Sequence, residues 1–223
     1  MDQIKSAPKA TGILLFLLLL NILNMVDRTL ITSFGSAIIK DLNLSDSQFG
    51  LLTGPIFVFF YSIMGLFMGA LADRVHRPRL IAAGLLLWSA LTAVSGMAKS
   101  FVQIGVARLF IGVGESAMTP SAISMISDLF PKARRGTATG IYYLGVPLGA
   151  GGSFIVAGVL GPMIGWRNCF FLLGGVGVVL AFGLLFLKDP KRGAMEEKED
   201  SIAPEREEAL LGGDWRRVIS DVL

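Results

Sequence analysis

The chain has 223 residues, 53% of them hydrophobic and 17% charged, which is more apolar surface than a water-soluble domain of that length can bury. Its formal net charge of +3 is spread over short loops between apolar runs rather than gathered in one patch, which excludes a nucleic-acid partner. The one cysteine, Cys169, has no intrachain partner and no metal-ligand spacing around it, so a disulfide framework and a zinc site are excluded and it reads as a small residue packed in a helix.

Crossing a hydrocarbon core of about 30 Å takes about 20 helical residues. Six stretches meet that length, at 12–35, 48–71, 80–98, 101–127, 136–160 and 166–187. The first follows Lys5 and Lys9 as a signal peptide would, but it continues to Gly35 without a small-residue cleavage site and reads as a retained span. The loop after the second span is short and basic, Asp73-Arg74-Val75-His76-Arg77-Pro78-Arg79, and so is the loop after the fourth, Pro131-Lys132-Ala133-Arg134-Arg135. With Lys5 and Lys9 these loops hold eight Lys/Arg, against Lys40, Lys99 and Arg167 on the other side. By the positive-inside rule the N-terminus is then cytoplasmic, and an even number of spans returns the C-terminus to the same side. The expected organisation is a cytoplasmic N-terminus at 1–11, a six-helix bundle at 12–187 and a charged cytoplasmic linker or tail at 188–223. That last segment holds seven Lys/Arg and ten Asp/Glu and reads as solvated, with an amphipathic stretch at Asp214–Ile219 suited either to the membrane surface or to a disordered tail.

Asp27, Arg28, Arg108 and Glu115 are the charges that no loop accommodates. An ionisable group at the bilayer centre costs about 2.5–3.5 kcal/mol on insertion scales, so its default reading is a functional site. Arg108 and Glu115 lie about two helical turns apart and share one face of the fourth span, which is expected to line a cavity. With spans one and four running in opposite directions, Asp27, Arg28 and Arg108 fall outside the midplane and Glu115 close to it, and Asp27 is expected to meet Arg108. The competing interpretation is a static ion-pair network, but desolvating such charges costs several kcal/mol per ion that apolar packing would avoid. Proton coupling through Asp27 or Glu115 is therefore expected, with Arg28 and Arg108 available to an organic anion.

The fifth span is rich in glycine, including Gly145 and Gly149, with Pro147 and Pro162 among them. Small residues let membrane helices approach closely, and the prolines offer places to bend. These four are the expected packing and hinge positions.

The run Gly69-Ala70-Leu71-Ala72-Asp73-Arg74-Val75-His76-Arg77-Pro78-Arg79 resembles the G-x-L-a-D-R-x-G-R-k signature of the major facilitator superfamily, with His76 in place of the usual glycine and Pro78 in place of a basic residue. The resemblance implies a cytoplasmic gate formed by Asp73, Arg74 and Arg77. Further stretches, among them Asn24-Met25-Val26-Asp27-Arg28, Trp88-Ser89, Arg108 to Ser116, Asp128-Leu129-Phe130-Pro131 and Gly165-Trp166-Arg167, are similar to the spinster branch. Members of that branch are associated with export of lysolipids and sphingoid lipids. The anion:cation symporter branch, which imports sugar acids and carboxylates, is also similar in its Asp-Arg pair in span one and its Arg and Glu seven residues apart in span four.

What the resemblance implies is an all-α membrane protein, the N-terminal half of a twelve-helix fold built from inverted three-helix repeats whose first helices flank the cavity. Those helices are spans one and four, which hold all four intramembrane charges. The expected partners are a small or lipid-like organic anion, protons, the lipid bilayer and a missing C-terminal six-helix half, on the same gene product or on a partner chain, because the sequence ends where that half would begin. A non-transporting subunit that kept the fold is the alternative of another class. No enzyme and no cofactor is expected: His76, the lone histidine, lies in a basic loop, and no phosphate-binding glycine loop lies outside the spans.

Overall fold

The computed structural model describes residues 2–196, with side chains from Lys9 onward, so Asp214–Ile219 and most of the acidic linker lie outside the described residues. The helices are α1 (Asp2–Ser33), α2 (Gly35–Leu42), α3 (Asp46–Thr53), α4 (Pro55–Ala72), α5 (Arg77–Ser95), α6 (Phe101–Glu115), α7 (Met118–Leu129), α8 (Lys132–Tyr143), α9 (Gly145–Ile155), a π-helical turn (Val156–Leu160) and α10 (Gly161–Leu185).

These ten helices make six passes. α1 running on into α2 is the first, α3 with α4 the second, α5 the third, α6 with α7 the fourth, α8, α9 and the π turn the fifth, and α10 beyond Gly165 the sixth. Within the composite passes the backbone hydrogen-bond ladder carries across the bends: Ser116 N–H still reaches Gly112 O at 3.1 Å and Leu148 N–H reaches Leu144 O at 3.2 Å. Each is therefore a kinked rod and not two separate elements. Lys132–Leu185 is one apolar stretch of 54 residues, which as a straight helix would run about 80 Å, more than twice the hydrocarbon thickness. It folds back at Gly165, whose φ of 78° and ψ of 160° interrupt the helix. Only glycine adopts that conformation without strain. Gly165→Ala is expected to cost about 1–3 kcal/mol, read as a lower melting temperature in detergent.

Local sequence sets the ends of the passes. Ser45 and Gln48 form a reciprocal capping box at the start of α3, and Asn43 takes the left-handed conformation that closes α2. Pro55 sits at the start of α4, where a missing amide costs nothing.

α1 packs against α9, α5 against both α6 and α10, and α4 against α6. Leu17, Leu20, Leu30, Ile81, Leu85 and Trp88 are fully covered at the centre of this core. Outward, Phe59, Leu66, Phe67, Phe154 and Val179 are exposed, which suits a bundle whose surrounding solvent is hydrocarbon. Gly149 makes the α1–α9 approach possible, since a Cβ there would lie 2.5 Å from the Ile22 carbonyl oxygen and from Met25 Cβ. At Gly145 it would lie 2.7 Å from Asn21 Nδ2, the atom that donates to Tyr142 O at 2.8 Å. Pro147 and Pro162 are on the exposed side, and the π turn lies just ahead of Pro162.

Candidate functional site

Three charged clusters stand at three levels of the bundle. At mid-height three of the four intramembrane charges, Arg28, Arg108 and Glu115, meet between α1 and α6. Arg28 donates from Nε to Glu115 Oε2 at 2.8 Å, and its Nη2 is also 2.8 Å from the same oxygen. Arg108 Nη2 donates to the backbone oxygen of Arg28 at 2.9 Å, tying the two helices together through a carbonyl with a lone pair to spare. Glu115 ends α6 and is 1% exposed, while the Arg28 side chain is 25% exposed. The opening of the cluster is therefore through Arg28.

An aromatic wall from α4 supports the cations. The Arg28 guanidinium lies 4.4 Å from the Tyr61 ring centre and 5.0 Å from that of Phe57. Arg108 lies 4.8 Å from Phe57, and the two rings stack on each other at 5.5 Å. Phe57 thus sits against two like charges and offers its negative face to both.

The expected contact between Asp27 and Arg108 is not formed. Successive residues on a helix point about 100° apart, so when Arg28 faces the α4–α6 side Asp27 is turned into the bundle. There it is 3% exposed and accepts a hydrogen bond from Trp88 Nε1 on α5 at 3.2 Å. Arg108 takes a carbonyl partner instead. On the four charged residues Asp27 Oδ1, Glu115 Oε1 and Arg108 Nε are buried without a hydrogen-bond partner among the described residues. Buried polar atoms of this kind are expensive in apolar surroundings unless they find a hydrogen-bond partner. The sequence marks Trp88 only as part of a family-like stretch and assigns it no partner, and Phe57 and Tyr61 carry no expectation there. Their signal was present, since a mid-span Trp carries an N–H that needs a partner and Phe57 and Tyr61 repeat at helical spacing.

At the basic end, Arg77 is the organising side chain. It is fully covered, donating from its backbone N–H and its Nε to the two carboxylate oxygens of Asp189 at 3.0 and 2.7 Å. Nη1 reaches Ser124 Oγ at 2.9 Å and also pairs with Asp128, and Nη2 donates to Pro190 O at 2.6 Å. Arg192 caps the end of α4, donating to Ala72 O and Val75 O at 2.7 and 2.8 Å, and Gly193 N–H donates to Asp128 Oδ1 at 2.9 Å. Of the three expected gate residues only Arg77 is engaged, while Asp73 and Arg74 are exposed and make no ion pair among the described residues. The first linker residues, read as solvated, are instead pinned to the bundle through Asp189 and Arg192.

At the opposite end Asp41 accepts from Arg167 Nε at 3.1 Å and from Trp166 Nε1 at 3.0 Å. Arg167 also closes the end of α5 through Gly96 O and Ala98 O.

The sequence of this bundle, with charges on its first and fourth passes and a basic loop after its second, matches the family model Major Facilitator Superfamily over residues 17–222. The chain belongs to that superfamily. Within it the chain is spinster-like: it is 31% identical over 177 residues to Protein spinster of Drosophila melanogaster, covering 79% of this chain and 29% of that protein. It is 33% identical over 165 residues to an MFS-type efflux pump of Mycolicibacterium smegmatis, covering 74% of this chain and 38% of the relative. It is also 30% identical over 177 residues to the probable L-galactonate transporter of Escherichia coli K12, covering 79% and 39%. A crystal structure of a bacterial homolog of the human lysosomal transporter Spinster, inward-facing and unoccupied, superposes with a TM-score of 0.74 at 35% identity, covering 83% of this chain and 44% of that one. The chain spans less than half the length of these relatives.

Proposed function

We propose that this chain forms the N-terminal six-helix half of a proton-coupled secondary transporter of an amphiphilic organic anion, with a lysolipid or sphingoid lipid as substrate. The second half, on the same gene product or on a partner chain, encloses the cavity. The protein resides in the cell membrane with both ends and the Arg77 cluster on the cytoplasmic side, as the charge bias of the loops favours.

The observation that carries this reading is the Arg28–Glu115 pair, a buried carboxylate holding the one intramembrane guanidinium that is partly open. Ionised Glu115 occupies Arg28. When Glu115 takes up a proton the attraction is lost, and Arg28, still supported on Tyr61 and Phe57, is released to an anionic headgroup. Substrate and proton thus exchange at one guanidinium, which is what coupling requires. The Phe57 and Tyr61 rings beside Arg28 offer apolar surface to an acyl chain.

A second reading, transport of sugar acids, is favoured by the resemblance to the L-galactonate transporter, since the same arginine would hold a carboxylate. Competition in vesicles containing this chain with a matching C-terminal half separates the two. Lysolipid that displaces labelled lysolipid, with sugar acid inert, supports the lipid assignment. Displacement by sugar acid supports the second reading, and no uptake of either label with a folded pair of halves points to a non-transporting subunit.

A further inference from the structure

We infer that Trp88 is a positioning residue for Asp27, its indole N–H fixing the carboxylate inside the bundle, apart from the Arg28–Glu115 pair. This rests on the proton-coupled reading above and adds a residue to it. The geometry is specific. Trp88 is fully covered and Asp27 nearly so, and the indole N–H at 3.2 Å is the sole side-chain hydrogen bond that Asp27 receives among the described residues. Trp88 has one donor and no acceptor, so its N–H bonds the ionised carboxylate more strongly than the neutral carboxyl, whose carbonyl oxygen accepts it without charge assistance.

Two carboxylates sharing one space titrate as a pair, each raising the cost of charging the other. The charged groups that act on Asp27 are Glu115 and Arg108, both from α6, and Arg28 follows it on α1. Glu115 is neutralised directly by Arg28. Asp27 is not in an ion pair, and the indole is what marks its place. The packing around Trp88 is tight: on the next helix over, a Cβ at Gly114 would lie 3.1 Å from the Trp88 backbone nitrogen. This close fit of α5 against α6 fixes the backbone that carries the indole, and with it the direction of the donor toward Asp27.

The test uses this chain in lipid and does not need transport. Infrared titration of the buried carboxyl band, assigned to Asp27 by its loss in Asp27→Asn, is compared between wild type and Trp88→Phe, which keeps an aromatic ring and removes the N–H. A hydrogen bond to a charged group contributes about 1.5–3 kcal/mol and one pH unit corresponds to about 1.4 kcal/mol. The midpoint is expected to move to higher pH by about one to two units. An unchanged midpoint overturns the inference. Where Trp88→Phe does not fold, the wild-type donor is used instead: with Trp166 and Trp215 replaced by Phe, Trp88 emission is expected to change with pH and to lose that change in Asp27→Asn, and a pH-independent emission overturns the inference. Neither readout depends on substrate movement, so failure of the transport reading is recognised separately.

Discussion

Replacing Glu115 with Gln is expected to leave a folded bundle whose transport no longer responds to a proton gradient. The amide keeps the size of the side chain and one oxygen for Arg28 Nε, but it neither charges nor discharges, so the guanidinium is held with the same strength at every pH. Losing the charge-assisted component of the pair weakens that hold, which leaves Arg28 permanently available to an anion. Substrate binding therefore survives or tightens while accumulation against a gradient disappears. Asp27→Asn alone should also weaken the response to the proton gradient. If both variants keep wild-type pH dependence in the assembled transporter, the coupling mechanism is wrong.

Arg77→Ala is expected to be the most destabilising single substitution at the basic end. The side chain has no exposed surface, and its two carboxylate partners are 11% and 17% exposed. Removing one member of such a set strands charges that water reaches poorly, which costs about 3–5 kcal/mol. It also removes the hold of α5 on Asp189 and Pro190, leaving the linker anchored through Arg192 on the end of α4 and Gly193 on Asp128. A melting-temperature drop in detergent checks this, and Asp128→Asn with Asp189→Asn in the Arg77→Ala background should recover part of it, because the stranded charges are then gone. A wild-type melting temperature for Arg77→Ala alone would show that the cluster is an open surface contact.

The two predictions rest on features that the sequence displayed unequally. Charges inside apolar runs announce themselves, so Asp27, Arg28, Arg108 and Glu115 were legible as a group. Their pairing was not, because which of two adjacent residues faces a neighbouring helix depends on rotations of a few tens of degrees set by packing across the bundle. Asp27 and Arg28 are such neighbours, and the structure sends one to an indole and the other to Glu115. A charge count also carries no trace of Trp88, which is neutral and looks like any other apolar residue until its N–H is placed.

The linker illustrates the same limit from another side. Lys188 to Arg192 reads as solvated by composition, yet Asp189 and Arg192 find partners more than a hundred residues away in sequence. The turn at Gly165 was better marked, since Pro162, Gly165 and the polar Arg167-Asn168 interrupt an apolar run. The six passes were recovered for that reason, although α1 extends well past residue 12 toward the N-terminus. Helix length follows propensity as well as bilayer thickness, and only the second is read from an apolar window.

Proton movement tests the central claim most directly. With this chain and a matching C-terminal half in vesicles, in weak buffer with a pH-reporting dye, addition of the organic anion should produce a dye signal that accompanies label uptake, and Glu115→Gln should lose the signal. Labelled substrate that crosses the wild-type membrane with no accompanying proton movement would contradict the account.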